Sequence, residues 1–159
     1  MAKAEASAFL VPKEYRRWAE FGEACRRDRS IGLCYGPPGV GKTLSARHYA
    51  QWATCEAHEL EYFQPADSRL ASCRTLSYTP TVSNTPRRIA KEVDGLHFRC
   101  NCLVDQACRE LGHESDVDRD YCAWLLVDEA DRLKRQSLEQ LRDAYDQGHF
   151  GLIFIGMPG

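Results

Sequence analysis

A glycine-rich segment near residue 40 carries the residues whose types and spacing best support chemistry. Gly36, Gly41, Lys42 and Thr43 satisfy the pattern G-x-x-x-x-G-K-[ST] at every fixed position. Glycines at this spacing let successive backbone N–H groups point at a phosphate with no side chain in the way. The lysine supplies a cation for the β and γ phosphates, and the threonine hydroxyl supplies an oxygen ligand for Mg²⁺. The predicted nucleotide-binding loop consists of Gly36, Pro37, Pro38, Gly39, Val40, Gly41, Lys42 and Thr43.

Two adjacent acids supply the chemistry that such a loop needs for hydrolysis. Asp128 and Glu129 directly follow the apolar run Leu125-Leu126-Val127. At the carboxyl end of a buried strand, we expect Asp128 to hold hydrated Mg²⁺ and Glu129 to orient or deprotonate an attacking water. An apolar strand that ends in two acids is also a common, purely structural feature. The glycine-rich loop earlier in the chain favours the catalytic interpretation.

Alternating strands and helices are predicted to position these residues. The spacing of apolar residues indicates strands over residues 30–35, 74–78, 121–127 and 151–155, with a further candidate over 60–63 and a loop over 64–73. Helices are predicted over residues 13–27, 42–53 and 137–147. Another helix should begin at Pro86, capped by the residues before it, and end at Gly95. Asn101 is predicted to cap a separate helix over 102–111, closed by Gly112. The pattern indicates an α/β fold with a parallel sheet.

Composition limits the partners of the chain. Its 159 residues are 43% hydrophobic and 28% charged, which indicates a folded domain and excludes a disordered tail. The formal net charge of −2 excludes a surface that attracts polyanions as a whole, so any contact with nucleic acid must come from local clusters. The basic candidates are Arg87, Arg88, Lys91, Arg132, Lys134 and Arg135. Each cluster is either a solvated helix face or a phosphate-backbone contact that does not read sequence.

Eight cysteines raise the question of disulfides or a metal site. No apolar run near Met1 is long enough for a secretory signal, and no stretch of about 18 uncharged apolar residues occurs, so we expect a cytoplasmic chain with reduced thiols and no membrane partner. A zinc site would use Cys100, Cys102 and Cys108 with His97 and His113. The C-x-C spacing and the divergence of Cys102 and Cys108 around a helix favour ordinary buried thiols instead.

Several segments of the sequence resemble a known family. GPPGVGKT, LLVDEAD and GLIFIGMPG are similar to the AAA+ ATPases, within the group that pools origin-recognition ATPases with DNA-transposition ATPases of the phage Mu B protein and transposon B-protein type. The phrases IGLCYGPPGVGKTLSARHYAQWA and EADRLKRQSLEQLRDAYD resemble the transposition branch, and the likeness covers residues 9–159. The resemblance implies a three-layer P-loop fold and ATP- and Mg²⁺-dependent homo-oligomers that bind duplex DNA and recruit a transposase.

The resemblance also transfers roles residue by residue. Residues 36–43 match the phosphate loop, Asp128 the Mg²⁺-coordinating acid and Glu129 the water-activating acid, so Lys42 and Glu129 are the expected catalytic residues. The strand before Gly156 matches the one that normally carries a polar sensor, yet Met157 cannot donate a strong hydrogen bond. The arginine finger, last core strand and helical lid that the family places further on have no counterpart, so no lid is expected. We therefore expect a helical extension at 1–29 and an incomplete nucleotide-binding core at 30–159.

Two functions follow from these observations. The first is an ATPase that assists DNA transposition. The second is a nucleotide-dependent binding and assembly module with little catalysis, because a missing arginine finger costs about 10³–10⁵ in rate in GTPases. Residues 128–131 also spell the signature of a helicase family, but the rest of the sequence does not resemble that family. A small-molecule kinase is disfavoured because no acceptor pocket is identifiable.

Overall fold

A computed structural model describes residues 13–57, 67–114, 119–148 and 150–157, which form a parallel sheet flanked by helices. The strands are β1 (Ile31–Tyr35), β2 (Thr75–Tyr78), β3 (Trp124–Val127) and β4 (Gly151–Gly156). Their order across the sheet is β1-β4-β3-β2, and all three pairings are parallel. The carboxyl ends of the strands therefore meet at one edge, where the loops that follow β1 and β3 can form a common site.

Helices cover both faces of this sheet. The α-helices are α1 (Lys13–Arg27), α2 (Lys42–Tyr49), α3 (Trp52–Ala57), α4 (Pro86–Glu110) and α5 (Arg135–Gln147), and short 3₁₀ turns cover Ser68–Ser72 and Ala130–Arg132. One face of the sheet packs against α1 and α2, where Trp124 of β3 stacks on Tyr49. The opposite face packs against α4 and α5. The three-layer α/β fold with an N-terminal helix is confirmed.

The N-terminal helix α1 approaches the sheet closely because small residues lie in between. Its buried stripe includes Trp18 and Cys25, as the three- to four-residue spacing predicts. A Cβ atom added to Gly22 would lie 3.2 Å from the Trp124 ring. A side chain at Gly32 of β1 would collide with Phe21 and Cys25, at 2.6 and 2.7 Å. These two glycines set the distance between the helix and the strands that carry the site.

The helix predicted over residues 42–53 is two helices, so that prediction was wrong. α2 ends at Tyr49, Gln51 adopts a left-handed conformation (φ 52°), and α3 begins at Trp52. The bend lets both segments bury apolar side chains, Ala46 from α2 and Cys55 from α3. Tertiary burial therefore outweighs the local cost of an unfavourable backbone conformation.

The two helices predicted between residues 86 and 111 are one 25-residue helix. Thr85 caps it as expected, since its Oγ1 accepts a hydrogen bond from Arg88 N, and Gly112 follows its end in the left-handed conformation. Gly95 does not end the helix, because α4 buries apolar residues on both sides of it, including Val93 and Leu103. Asn101 caps nothing; its Oδ1 instead accepts from Tyr121 N across the fold.

The remaining boundaries differ modestly from the predictions. The candidate strand at 60–63 lies outside the described residues. Within the segment predicted as a loop, Asp67 caps the 3₁₀ turn Ser68–Ser72 by accepting from Arg69 N. The strand predicted from residue 121 begins at Trp124, although Ala123 N already donates to Arg74 O at 2.7 Å.

Candidate nucleotide-binding site

The glycine-rich loop joins β1 to α2 at the carboxyl edge of the sheet, as the motif requires. Gly39 and Gly41 have φ values of 80° and 83°, a region that strains any residue with a side chain. α2 begins at Lys42, so its free backbone N–H groups face the loop and favour an anion there. Lys42 Nζ donates to Gly36 O at 2.6 Å and to Pro37 O at 2.8 Å, which holds the cation across the mouth of the loop.

The structure brings the phosphate loop and the first predicted acid into contact. Thr43 Oγ1 donates to Asp128 Oδ1 at 3.0 Å across 85 positions of sequence. Asp128 follows β3 and is only 7% exposed, and its Oδ1 also accepts from Glu129 N at 2.9 Å. A hydroxyl and a carboxylate side by side are the hard oxygen ligands that Mg²⁺ prefers, so this donor pair fits that ion.

Glu129 adopts a strained backbone conformation beside this pair. Its φ of 50° is left-handed, and it precedes the 3₁₀ turn Ala130–Arg132. Its carboxylate forms an ion pair with the guanidinium of Arg132. For a residue other than glycine, such a backbone conformation costs about 1–3 kcal/mol and occurs mainly where surrounding contacts enforce it, often at functional sites. Sequence reasoning placed Arg132 in a basic surface cluster and missed this pairing.

These residues line one open cavity of about 520 Å³. Its walls come from the phosphate loop, the start of α2, the segment after β3 and the carboxyl end of β4, where Ile155, Gly156 and Met157 lie. Two charged residues that the motifs did not single out also line it, Arg47 and Asp131. Seven of the ten predicted site residues line this cavity, and the other three are Gly36, Pro37 and Val40, of which Val40 lines the neighbouring pocket.

A second, apolar pocket of about 340 Å³ adjoins the phosphate loop. It lies between α1, β1 and the start of α2, and Lys42 is common to both cavities. Two of its aromatic side chains, Trp18 and Phe21, come from α1. Burial raises the pKa of the Cys34 thiol, so this thiol is uncharged at neutral pH. Its lining residues are Arg17, Trp18, Phe21, Leu33, Cys34, Tyr35, Val40, Lys42 and Ser45.

The two predicted basic clusters are linked by a buried amide. Asn84, 1% exposed, donates from Nδ2 to Thr81 O at 2.9 Å and to Arg132 O at 3.0 Å. Its Oδ1 accepts from Lys134 N at 3.4 Å, so the start of α4 and the segment before α5 lie side by side. Of the six cations in these two clusters, four are exposed and make no ion pair with the described residues: Arg87, Lys91, Lys134 and Arg135.

Arg88, the remaining member of the α4 cluster, is neutralised by a neighbour. Its guanidinium lies 2.7 Å from the Glu92 carboxylate and holds the pKa of that carboxyl below its usual value. Glu92 also accepts from the hydroxyl of Tyr78, whose pKa is raised by burial and by this hydrogen bond. Arg88 therefore contributes less to the basic surface than the sequence suggests.

The candidate zinc ligands do not converge on one point. His97 Nε2 contacts Asp120 Oδ1 at 2.7 Å. Burial opposes ionisation of Asp120, but hydrogen bonds from His97 and from Cys122 N keep the pKa of Asp120 below its usual value. Cys100 is buried in the core, where its thiol contacts Cys55 and Cys73. The described residues contain no cluster of side chains that could hold a metal ion through histidine, cysteine and carboxylate groups alone.

No helix in the described segments combines the length and apolar character needed to cross a membrane.

Comparison with known proteins agrees with the geometry of the site. The chain is 38% identical to a protein of Staphylococcus aureus named "Potential ATP-binding protein", over 162 aligned positions that cover 95% of this chain. The chain spans 59% of the length of that relative. The chain is also 37% identical to the non-reducing polyketide synthase gsfA of Penicillium aethiopicum over 78 aligned positions. This alignment covers 44% of the chain and 4% of the synthase. The profile of the AAA domain family matches residues 25–159. With this match, and with a phosphate loop and an acidic strand end joined in one cavity, the chain belongs to the AAA domain family.

Proposed function

We propose that the chain is a cytoplasmic ATPase that binds ATP with Mg²⁺, hydrolyses it and assists DNA transposition. One observation carries the nucleotide-binding part of this proposal, namely the contact between Thr43 and Asp128. It joins the phosphate loop after β1 to the acid after β3 at a single point. That is the arrangement needed to bind a triphosphate and its cation together.

Each residue of the site has a defined role in this proposal. Lys42 and the N-terminal N–H groups of α2 contact the β and γ phosphates. Thr43 and Asp128 would hold Mg²⁺, which neutralises charge on the phosphate oxygens when bound. Glu129 accepts a proton from a water whose oxygen forms a bond to the γ phosphorus. The bond between that phosphorus and the β–γ bridging oxygen breaks, and ADP and phosphate leave.

The apolar pocket beside the loop supports a nucleotide as the ligand in preference to a simple polyphosphate. It lies next to Lys42 and offers the aromatic side chains of Trp18, Phe21 and Tyr35 to a planar base. A pocket of about 340 Å³ is large enough for a purine and its sugar. The name of the Staphylococcus relative, a potential ATP-binding protein, supports adenine as that base.

A role on DNA rests on the surface formed at the starts of α4 and α5. Arg87, Lys91, Lys134 and Arg135 are exposed, and the Asn84 hydrogen bonds hold their two segments together. Such a surface would contact the phosphate backbone without reading sequence. The resemblance to transposition ATPases supports a homo-oligomer that follows duplex DNA and engages a transposase. Several subunits acting together would multiply these local contacts, which is needed because a net charge of −2 per chain gives no overall attraction to DNA.

A second candidate is a nucleotide-dependent assembly module with little turnover of its own. The observation that favours it is the ion pair between Glu129 and Arg132, which engages the carboxylate that would accept the proton of water. In this case ATP would bind and change the assembly state of the chain, while hydrolysis would wait for a partner.

Turnover assays with and without duplex DNA separate these functions. The proposal predicts Mg²⁺-dependent release of phosphate from ATP that duplex DNA stimulates, together with DNA binding that weakens steeply as salt rises. ATP binding with negligible turnover under both conditions would favour the assembly module. DNA binding that is absent at low salt in the presence of ATP would contradict the role in transposition.

A further inference from the structure

The cavity holds a third carboxylate that neither motif assigns, that of Asp131. It lies two residues after Glu129 in the 3₁₀ turn Ala130–Arg132 and faces the cavity that also contains Thr43 and Asp128. The side chain is exposed, and among the described residues it makes no ion pair. A carboxylate without a paired cation repels the phosphates that this cavity would bind.

The other two carboxylates of the cavity are already engaged. Asp128 accepts hydrogen bonds from Thr43 Oγ1 and Glu129 N, and it is 7% exposed. Glu129 pairs with the guanidinium of Arg132. Each of these contacts uses one carboxylate oxygen, and Asp131 is the most exposed of the three carboxylates, with no hydrogen bond to its Oδ2 among the described residues.

The contacts of Asp131 place it over the end of β4. Its Oδ1 accepts a hydrogen bond from Met157 N at 3.4 Å. A Cβ atom added to Gly156 would lie 3.2 Å from the same oxygen, so the glycine leaves room for the carboxylate. The side chain of Met157 has no group that donates a strong hydrogen bond. The polar group at this end of β4 is thus supplied by the neighbouring segment.

We propose that Asp131 is a positioning residue for hydrolysis. One carboxylate oxygen fixes the end of β4 through Met157 N, and the other accepts a hydrogen bond from the water that attacks the γ phosphorus. Asp131 takes no proton in this step, because the proton passes to Glu129. The inference rests on the proposed ATPase function.

The charge of Asp131 makes the inference testable by two independent measurements. Asp131→Asn keeps an oxygen that accepts from Met157 N but removes one negative charge from the cavity. We expect kcat to fall about tenfold or more, since orientation of the water is lost. The affinity for ATP should rise about threefold or more relative to that for ADP, because only ATP carries the phosphate that the carboxylate repels. Asp94→Asn, an exposed aspartate on α4 outside the cavity, serves as the matched control and should change neither value.

Titration calorimetry with ATP and ADP and a phosphate-release assay give these values. A lower kcat together with a higher preference for ATP supports the inference. An unchanged kcat overturns it, and so does a lower kcat with an unchanged preference, since that result indicates structural support alone. The proposed function itself is tested separately, by nucleotide binding and turnover of the unsubstituted protein. If the parent binds neither nucleotide, or binds ATP without turnover, the ATPase proposal fails and the role of Asp131 fails with it.

Discussion

The carboxylate of Glu129 is held by one neighbouring side chain. Arg132 lies three residues further along the same 3₁₀ turn, and the two form an ion pair at half-exposed positions. Exposed ion pairs of this kind contribute only about 0–1 kcal/mol to stability. Binding of nucleotide and water can therefore displace the Arg132 guanidinium from the Glu129 carboxylate. The pairing thus fixes the resting position of the candidate base without preventing its use.

Replacing Glu129 by glutamine tests its role as the proton acceptor. The amide keeps the size of the side chain but has little basicity, so we expect kcat to fall about 10²- to 10⁴-fold while ATP binding is retained. Single-turnover phosphate release together with calorimetric titration measures both effects. Glu139→Gln, an exposed glutamate on α5, is the control. Normal turnover in the Glu129 variant would remove the role assigned here.

Individual residues of the phosphate loop could be predicted because the motif encodes its own geometry. Glycines at fixed spacing specify backbone conformation, and the Gly39 and Gly41 φ values agree. The partner of Arg132 could not be predicted, since an ion pair depends on where two side chains point after folding. The apolar pocket was missed for a related reason: periodicity shows that Trp18 and Phe21 face inward but not that a pocket lies beside them.

The junction between α2 and α3 shows how tertiary packing divides a helix that the sequence pattern predicts to be continuous. Gln51 is exposed and adopts φ 52°, and its backbone N–H donates to His48 O at 3.2 Å. Nothing in the local sequence marks this position, because glutamine is an ordinary helix former. The break allows Trp52 and Cys55 to reach the core.

Glycine at position 51 should stabilise the protein. Glycine removes the strain of the left-handed conformation, which is about 1–2 kcal/mol. It also favours the unfolded state by about 0.5–1 kcal/mol, because glycine gives the unfolded chain more conformational entropy. We therefore expect the free energy of unfolding to rise by about 0.5–1 kcal/mol. Ala53→Gly, an exposed position within α3, should lower the free energy of unfolding by about 0.5–1 kcal/mol. Urea denaturation measures both. A Gln51→Gly variant as destabilised as the Ala53 variant would contradict the observed break.

Asn84 links the segment before α4 to the segment that carries Arg132 and Lys134. Its side-chain amide makes three hydrogen bonds to backbone groups. Ser137 Oγ donates to the backbone carbonyl of Asn84 at 3.3 Å. Asparagine before Thr85 and Pro86 looks like a simple helix start in the sequence. Its role as a link between two elements depends on strand order, which local patterns do not reveal.

Loss of this amide should destabilise the fold markedly. Asn84→Ala leaves two carbonyls and one N–H without this partner in partly buried positions, at a cost of about 1–3 kcal/mol. Ser83→Ala, an exposed neighbour whose carbonyl alone makes hydrogen bonds, should change the free energy of unfolding by less than about 0.5 kcal/mol. Chemical denaturation compares the two. A loss below about 1 kcal/mol for the Asn84 variant would show that the link contributes little.

The site as a whole results from the order of the strands. The alternation of strands and helices predicts a parallel sheet, but it does not say that β4 lies between β1 and β3. That order places the end of β4, with Gly156 and Met157, between the phosphate loop and Asp128. Asp131 acquires its contact with Met157 N only through this arrangement. The sequence therefore predicts the residues of the motifs, while the topology determines which further residues join them.

Binding of ATP is the claim on which every other proposal depends. Calorimetric titration with Mg²⁺ and ATP tests this claim most directly. The same titration is made on the unsubstituted chain, on Lys42→Ala and on the control Arg142→Ala on α5. We predict one ATP per chain for the parent and for the Arg142 variant. Binding should be abolished in the Lys42 variant, because the β and γ phosphates lose the cation that faces them. Equal binding by the parent and Lys42→Ala, or binding by neither, would contradict the site described here.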